Sequence, residues 1–540
     1  MVHYRNPFSA SFYAVEINEI YSRGLSQGNV PLMTDFITSM NDGVWAFVVW
    51  GLVGAGIYFG VRTIVVQLRL LPQMFGAVAE PPYEDETLSS GEPEDTGSSA
   101  ESGAGTKKAP NKGISPFKAF TISAASRVGT GNVAGVAVAI TMGGPGAVFW
   151  MWIIAIIGGA TSFVESTLAQ LYKTRDYENN AYRGGPAYYI TRGLGKPWLA
   201  VIFGIAITLT FGFINNALQT NSIVESVGTS AGNDGMTLKV IIGFAVAVLT
   251  AMIVFGGVQR IASVTQVIVP FMAVAYIGLG VIVLCLNISE IPEMFSLIIG
   301  HALGLREVAG AAVGSAFING MRRGLFSNEA GQGSVPNAAG TAAVSHPCKQ
   351  GLVQTLGVYF DTLIVCSMTA FIILLSNPTY GEDVEGASLT QNSMASQVGE
   401  WGIHAVTFCL FFLAFSSVIG NYYLAQSNVE YFTKNKTVMR GFRVLVVLCV
   451  FLGAVVDLPV IWALADTFTA TMVVINLCAI VPLCPVALKL LKNYSEQKRQ
   501  GLDPVFQRSM LPELKNVECW DDVDEDFAAK STGGPKGLRV

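Results

Sequence analysis

The chain has 540 residues, of which 51% are hydrophobic and only 13% charged, with a formal net charge of −5 and a mean hydropathy of +0.49. Soluble domains carry roughly 25% charged residues, so this composition excludes an ordinary soluble protein and points to a polytopic membrane protein. No basic patch suggests nucleic acid, the eight cysteines form no C-x-x-C pair, and four scattered histidines argue against haem ligation; the cysteines read as small packing residues, not as a disulfide framework or zinc site.

In chain order, Met1–Pro31 has no basic stretch followed by an apolar one, so no cleavable signal is expected. Residues 1–43 are expected on the extracytoplasmic side, followed by a first spanning helix at 44–66. Residues 79–115 are expected to be a disordered acidic cytoplasmic linker, because Ala79–Lys112 is rich in Pro, Glu, Asp, Ser and Gly. Apolar runs such as Val201–Phe213, Val240–Phe255, Val264–Leu286 and Thr355–Leu375 mark the helices beyond it. Several reach the ~20 residues that a ~30 Å hydrocarbon core requires. Ten further spans are expected near 119–141, 146–171, 197–226, 238–256, 263–287, 308–335, 351–376, 403–430, 441–457 and 460–492, about eleven in all. They form a first group of five at 119–287 and a second at 308–492. Residues 493–540 read as a solvated cytoplasmic tail bearing the acidic run Asp521–Asp526.

Basic residues alternate between the connections. Lys107, Lys108, Lys112 and Lys118 fall in one connection, Lys173, Arg175, Arg183, Arg192 and Lys196 in another, and Arg260, Lys349, Lys434, Lys436, Arg440 and Arg443 in later ones. The intervening connections Ser226–Met236 and Ser376–Gly402 contain none. Lys and Arg concentrate on the cytoplasmic side, so the N-terminus is placed outside and the C-terminus in the cytoplasm of a bacterial-type inner membrane.

Two apolar segments are interrupted by glycines and polar residues. One is Arg127-Val-Gly-Thr-Gly-Asn132-Val-Ala-Gly135 and the other runs from Asn319 to Gly333. A helix in lipid must satisfy its backbone internally, so such a break is tolerated only inside protein or beside a cavity. Once the first span is set aside, the breaks fall in the first and sixth of ten spans. Five helices thus repeat as five, the second set inverted, an arrangement in which paired breaks mark a transporter's central site. The glycines at 129 and 131 let the backbone unwind; freed N–H groups can hold a carboxylate and freed carbonyls a Na⁺. Close helix packing through Gly131 and Gly135 is the alternative for the first break. A dinucleotide loop does not fit, because no strand precedes the glycines.

Val128-Gly-Thr-Gly-Asn132-Val-Ala-Gly-Val-Ala137, Gly143-Gly-Pro-Gly-Ala-Val-Phe-Trp-Met-Trp152, Gly184-Gly-Pro-Ala-Tyr-Tyr189 and Arg323-Gly-Leu-Phe-Ser-Asn-Glu-Ala-Gly-Gln-Gly-Ser334 resemble the alanine/glycine:cation symporter family over most of the chain, about Val44 to Leu491. The resemblance implies an all-α, leucine-transporter-like fold of five plus five inverted helices with one extra N-terminal helix. It also implies sodium-coupled uptake of small neutral amino acids, chiefly alanine or glycine. More distantly, the first motif is similar to the unwound helix of the neurotransmitter:sodium symporters. That likeness implies substrate-carboxylate contacts at Thr130, Gly131 and Asn132, and Na⁺ contacts at the carbonyls of Ala125 and Val128. Two hydroxyl residues on the eighth core helix complete the ion's shell in those relatives, matching Ser416 and Ser417 here. Serines in membrane helices also bond back to their own helix, the plainer reading of that pair.

Other polar residues in the spans read as follows. Phe317, Asn319 and Gly320 are expected to offer carbonyls and an amide to the substrate ammonium. Arg322, Arg323 and Glu329 are ionisable groups in an apolar segment and should face the interior in pairs, with Glu165 a candidate partner. A gating ion pair of Glu165, Arg323 and Glu329 is preferred over direct carboxylate binding by Arg323. Asn215 and Gln219 share a helical face; Gln219 is the preferred substrate contact, since the family also shows a Gln there, with interhelical hydrogen bonding as the alternative. Trp462 is either an interfacial anchor or, from the family likeness of Ile461-Trp-Ala-Leu-Ala-Asp-Thr467, a wall limiting substrate size.

These readings give a carrier with no catalytic residues, no cofactor beyond Na⁺ as coupling ion, and no obligate protein partner. Its partners are a small neutral amino acid, Na⁺ and the lipid bilayer. A proton-coupled carrier of the same fold is the nearest alternative, disfavoured because no lysine that would replace Na⁺ at the ion site is seen in the spans. A membrane enzyme would need clustered catalytic groups, and a channel an oligomeric filter.

Overall fold

The computed structural model describes residues 30–83, 114–176, 181–306, 312–380, 386–456 and 458–520. Most of the expected linker and the acidic run at 521–526 lie outside them. The helices, in chain order, are α1 (Val30–Arg62), α2 (Val66–Arg69), α3 (Leu71–Ala79), α4 (Pro116–Arg127), α5 (Val136–Gly143), α6 (Gly146–Leu171), α7 (Pro186–Arg192), α8 (Pro197–Leu209), α9 (Asn215–Ala231) and α10 (Met236–Val254). They continue with α11 (Gly257–Leu286), α12 (Ile291–Ala302), α13 (Val313–Asn328), α14 (Pro336–Ala339), α15 (Pro347–Tyr359), α16 (Ser367–Leu374), α17 (Gly386–Val398), α18 (Trp401–Phe432), α19 (Lys436–Gly453) and α20 (Leu458–Arg499). A two-stranded hairpin, β1 (Thr174–Asp176) and β2 (Ala181–Arg183), follows α6. Proline opens α4, α7, α8 and α15, where its missing N–H costs no helical hydrogen bond. Side-chain caps add to this at α4, where Ser115 accepts from the Lys118 N–H, and at α19, where Asn435 accepts from that of Thr437.

Eight helices among the described residues are long and apolar enough to cross a membrane. The remaining three expected spans escape that criterion for local reasons. The first core span is split into α4 and α5, the sixth stops after the 16 residues of α13, and α19 begins with Lys436, Arg440 and Arg443. The lipid-facing surface is apolar, with Phe47, Val267, Phe271 and Val274 each more than 60% exposed. In water such a surface would be a liability; facing acyl chains it is the ordinary condition.

The contacts between helices follow the five-plus-five order. The broken first helix of one half packs on that of the other (α5 on α13), the second on the second (α6 on α15), the third on the third (α9 on α18) and the fourth on the fourth (α10 on α19). The two fifth helices each pack on the third helix of the opposite half, α11 on α18 and α20 on α8 and α9. An odd number of crossings per half inverts the second half relative to the first, so this pairing closes around a central axis. Helix α1 lies outside that set, against α6 and α20.

Among the described residues, short π-helical stretches interrupt the bundle at Gly131–Gly135, Thr210–Ile214 and Phe360–Cys366. Such bulges widen one turn and re-aim side chains, and they concentrate at functional sites. Two boundaries differ from the sequence reading. Helix α1 begins by Val30, within the segment expected to precede the membrane, and is anchored by Asn41 and Trp45, whose side chains donate to the carbonyls of Ala463 (2.9 Å) and Asp466 (3.2 Å). The tail is not a solvated extension through 520: α20 continues to Arg499, and Phe506, Cys519 and Trp520 are buried against the α6 end and α15. Lys349, at the start of α15, fastens this arrangement through ion pairs to Glu80 (2.7 Å) and Asp503 (2.9 Å).

Candidate functional site

The site is built where the two broken helices meet. Helix α4 stops at Arg127; Val128 leaves the helical region (φ −83°, ψ 89°), and the chain re-enters it through the π turn that begins at Gly131. The space beside Gly129 is filled by Ser417 and by Gln219 Oε1, so no side chain fits there. The freed backbone N–H groups find side-chain amide oxygens. Gly129 donates to Asn132 Oδ1 (2.9 Å), and the Thr130 N–H and hydroxyl both donate to Gln219 Oε1 (3.0 and 2.8 Å). Gln219 reaches them because the π turn at 210–214 precedes its helix and directs that face inward. On the other side of the break, the Ser417 hydroxyl donates toward the Val128 carbonyl (3.3 Å) and its own helix's Leu413 carbonyl (3.1 Å). Among the described residues Ser416 bonds within its own helix, to the Leu413 carbonyl (2.8 Å), and buried Ala125 lies against the Gly420 backbone.

The second break is not where the sequence suggested. Helix α13 runs unbroken from Val313 to Asn328, and the chain unwinds only at Glu329, which adopts φ 56°. Gly331 (φ 85°) and Gly333 (φ 76°) continue the left-handed course that other residues avoid. Phe317, Asn319 and Gly320 therefore sit in intact helix, away from the first break, and have no free carbonyls to offer. Phe317 meets the Trp150 ring edge-on (4.9 Å) and the Trp50 ring at a tilt (5.2 Å), Asn319 donates back to Ser315, and Gly320 gives α6 room to approach at Ala147 and Trp150.

The ionisable groups are also paired differently from the expected trio. Arg322 and Arg323 both reach Asp466 on α20, and Arg323 lies 4.6 Å over the Trp462 ring. Glu165 instead caps the unwound second break, accepting from the Gly331 N–H (3.1 Å) and from Asn476 (2.8 Å). Glu329 accepts from Ser334 (2.5 Å) and from Ser126 on α4 (2.8 Å), a hydroxyl also 2.8 Å from Asn421 Oδ1 on α18. Glu165, Arg323 and Glu329 thus do not form one gate, because the α13 turn holding Arg323 faces α20 and the break faces α4 and α6.

Two residues at the centre escaped the sequence reading. Asp361 is fully buried in the π turn of the 347–374 span and accepts from Asn132 Nδ2 (2.7 Å), Ser327 (2.8 Å) and Thr362 (2.9 Å). It joins both broken helices to the second half's second helix. Its signal was present, a lone carboxylate in the apolar run Thr355–Leu375. Arg127, also buried, donates to the Gln354 carbonyl (3.3 Å), and its charge acts on Glu329, Asp361 and Glu165.

Between the breaks remains a cavity of about 10 Å³, lined by Ser126, Arg127, Gly131, Asn215, Gln219 and Glu329 and covered by Phe211 and Phe326. Phe326 rests on Gly131 and stacks with Trp462 (5.1 Å), which brings Trp462 to the site as the second layer of a wall. Of the other polar residues on α9, Asn221 bonds across to the Gly453 and Val456 carbonyls, so there interhelical bonding is what occurs.

The model of the Sodium:alanine symporter family matches residues 30–508. The chain is 45% identical to the amino-acid carrier protein AlsT of Bacillus subtilis, covering 92% of this chain and 100% of that one. It is 43% identical to the probable sodium/glutamine symporter GlnT of the same organism (90% and 95% covered) and 36% identical to the sodium/alanine symporter AgcS of Methanococcus maripaludis (86% and 98%). Among solved structures it is similar to MhsT in complex with L-phenylalanine, with a TM-score of 0.50 at 14% identity, over 70% of this chain and 98% of that one. At that identity the likeness concerns the fold alone, and the fold is the leucine-transporter-like one.

Proposed function

The chain belongs to the sodium:alanine symporter family, and from that premise we propose that it is a secondary carrier, not an enzyme or channel, that moves a small neutral amino acid together with Na⁺ into the cell. The observation that carries the reading is the pair of backbone N–H groups at Gly129 and Thr130, each held by a side-chain amide oxygen. An amino-acid carboxylate presents two oxygens to such donors and, being charged, binds them more strongly than an amide does. In this conformation Gln219 Oε1 occupies a position suited to one carboxylate oxygen, so the substrate displaces it and the freed Gln219 turns to bind the substrate. Thr130, Gly131, Asn132 and Gln219 remain the proposed carboxylate side. Glu329 and the Phe326 wall, in place of Phe317, Asn319 and Gly320, form the side facing the ammonium and the side chain.

The carbonyls of Ala125 and Val128 with the hydroxyls of Ser416 and Ser417 are the proposed Na⁺ ligands. Ser417 already spans from α18 to the break, so an ion there ties the two elements together and favours the conformation that holds the break in shape. Coupling requires that ion and substrate favour the same state, since a ligand of equal affinity for both states shifts nothing. With the basic connections on the cytoplasmic face of the inner membrane, the Asp466–arginine cluster and Trp462 lie toward the extracytoplasmic end, where they shut the cavity.

Uptake of labelled alanine into proteoliposomes, with and without an inward Na⁺ gradient, tests the proposal. Equal uptake in both conditions overturns sodium coupling, and the absence of uptake for alanine, glycine and glutamine overturns the substrate class. A relative described as a sodium/proton-dependent alanine carrier, and the three buried carboxylates around one arginine, favour protons as the second reading; uptake driven by a pH gradient in Na⁺-free buffer would establish it.

Two substitutions follow from the geometry. Ser417→Ala removes one oxygen ligand, a loss of about 1.5 kcal/mol for a charge-assisted contact, so the Na⁺ concentration for half-maximal uptake should rise about tenfold while the alanine maximum at saturating Na⁺ stays near that of the wild type. An unchanged Na⁺ dependence would remove Ser417 from the site. Phe326→Ala opens the wall above Gly131, and competition by valine against labelled alanine should improve at least about tenfold, the scale set by one or two methylenes in an apolar pocket.

A further inference from the structure

A second cavity shares no lining residue with the one between the breaks. It has a volume of about 450 Å³ and is formed by the β1–β2 hairpin, the start of α11, the last turns of α18 and the first turns of α19. That volume is within the ~300–1,000 Å³ range of small-molecule sites, and nothing in the proposed transport cycle uses it. Its lining is strongly cationic. Arg175, Arg183, Lys434, Lys436, Arg440 and Arg443 stand against only Asp176 and Glu430 as carboxylates.

The two carboxylates are already engaged. Buried Arg183 holds both Asp176 (3.1 Å) and Glu430 (2.8 Å), so this inner group carries one net negative charge. Arg443 donates to the Tyr422 hydroxyl (3.0 Å) and lies over the Phe255 ring. Further positive charge sits on Lys434, Lys436 and Arg440, which are exposed and have no ion pair among the described residues. Lys436 opens α19, whose first-turn N–H groups add their own positive end to the cavity.

The surroundings of the mouth decide which anion it suits. Phe255, Phe432, Val438, Val444 and Leu445 are each more than 40% exposed; Phe432, Val438 and Val444 adjoin the cavity residues Tyr431, Thr433, Met439 and Arg443 in sequence, and Phe255 lies under Arg443. A cationic pocket bordered by exposed apolar side chains, at the end of spanning helices, lies at the level where headgroups meet acyl chains. A soluble phosphate would use the cations and leave the apolar rim bare. We propose that this cavity binds the phosphate-bearing headgroup of an anionic phospholipid, with the acyl chains lying on the apolar rim.

The proposal rests on none of the transport assignments and is tested without transport. The full chain is purified in detergent, and native mass spectrometry measures retention of phosphatidylglycerol and phosphatidylcholine, with inorganic phosphate as a third probe. The wild type should retain phosphatidylglycerol over phosphatidylcholine. In the variant carrying K434Q, K436Q and R440Q that retention should fall by on the order of 100-fold, from the contribution of three cations near a membrane surface. A control with K196Q, K492Q and R499Q removes equal charge from exposed positions outside the cavity and should keep most of the preference. The thermal midpoint in phosphatidylcholine nanodiscs should match among all three proteins, which separates lost lipid from lost fold. Equal retention of the two lipids, equal loss in both variants, or binding of inorganic phosphate alone would each overturn the proposal.

Discussion

Asp361→Ala should abolish transport, lowering alanine uptake at least about 100-fold, and should destabilise the protein by about 3 kcal/mol or more. Three donors converge on this carboxylate, one from the first broken helix (Asn132), one from the end of the second (Ser327) and one from its own π turn (Thr362). Each donor left unsatisfied in a buried site costs about 1–3 kcal/mol, and lipid on the outside offers no replacement water. Asn132 also accepts from the Gly129 N–H through its other amide atom. When Asp361 no longer fixes that amide, the break loses its shape, so function should fall further than stability. Asp361→Asn keeps an acceptor for one or two of the donors and should fold nearly as well while still transporting poorly. Measured uptake and the thermal midpoint in detergent would check both variants. An Asp361→Ala protein that transports alanine at more than a tenth of the wild-type rate would show that the carboxylate is structural only.

The second large effect is expected from Arg127→Met. This guanidinium is a buried cation whose charge acts on Glu329, Asp361 and Glu165, and its own place depends on α15 coming close at Gly357. Methionine fills part of the volume but leaves buried carboxylates without their counter-charge, a change worth about 3–5 kcal/mol. The thermal midpoint should drop by several degrees, and uptake should be lost. Adding Glu329→Gln to Arg127→Met removes one of the stranded charges and keeps the hydrogen bonds to Ser126 and Ser334 in part, so it should recover stability. The double-mutant cycle should give a coupling of at least about 1 kcal/mol. Additive losses would mean that Arg127 acts through packing alone.

These two residues also mark how far the sequence could be read. The spans at 146–171 and 197–226 were legible because lipid demands long apolar runs, and α6 and α8–α9 follow them. The first break was legible because Gly129, Thr130, Gly131 and Asn132 contradict such a run within four residues. The second was placed too early. Asn319, Gly320 and two arginines look like an interruption, yet the helix continues, because Asp466 lies 143 residues or more away in sequence and receives both arginines. The unwinding waits for the left-handed run at Glu329, Gly331 and Gly333, within the same quoted segment. The tail misled for a similar reason: its polar composition conceals Phe506 and Trp520, whose burial depends on a surface made by α6 and α15.

Sequence by itself determined what depends on neighbours along the chain. That includes the membrane class, the number and order of the spans, the flexible glycines of the first break, and the alternation of basic connections. Tertiary structure alone decided which polar groups meet. The inverted packing brings Asn132 to Asp361 across 229 residues, Ser126 to Asn421 across 295 and Asn476 to Glu165 across 311. A buried polar group must find a partner somewhere, and that requirement is visible in sequence. The identity of the partner depends on helices meeting through lipid, a contact that no local pattern encodes.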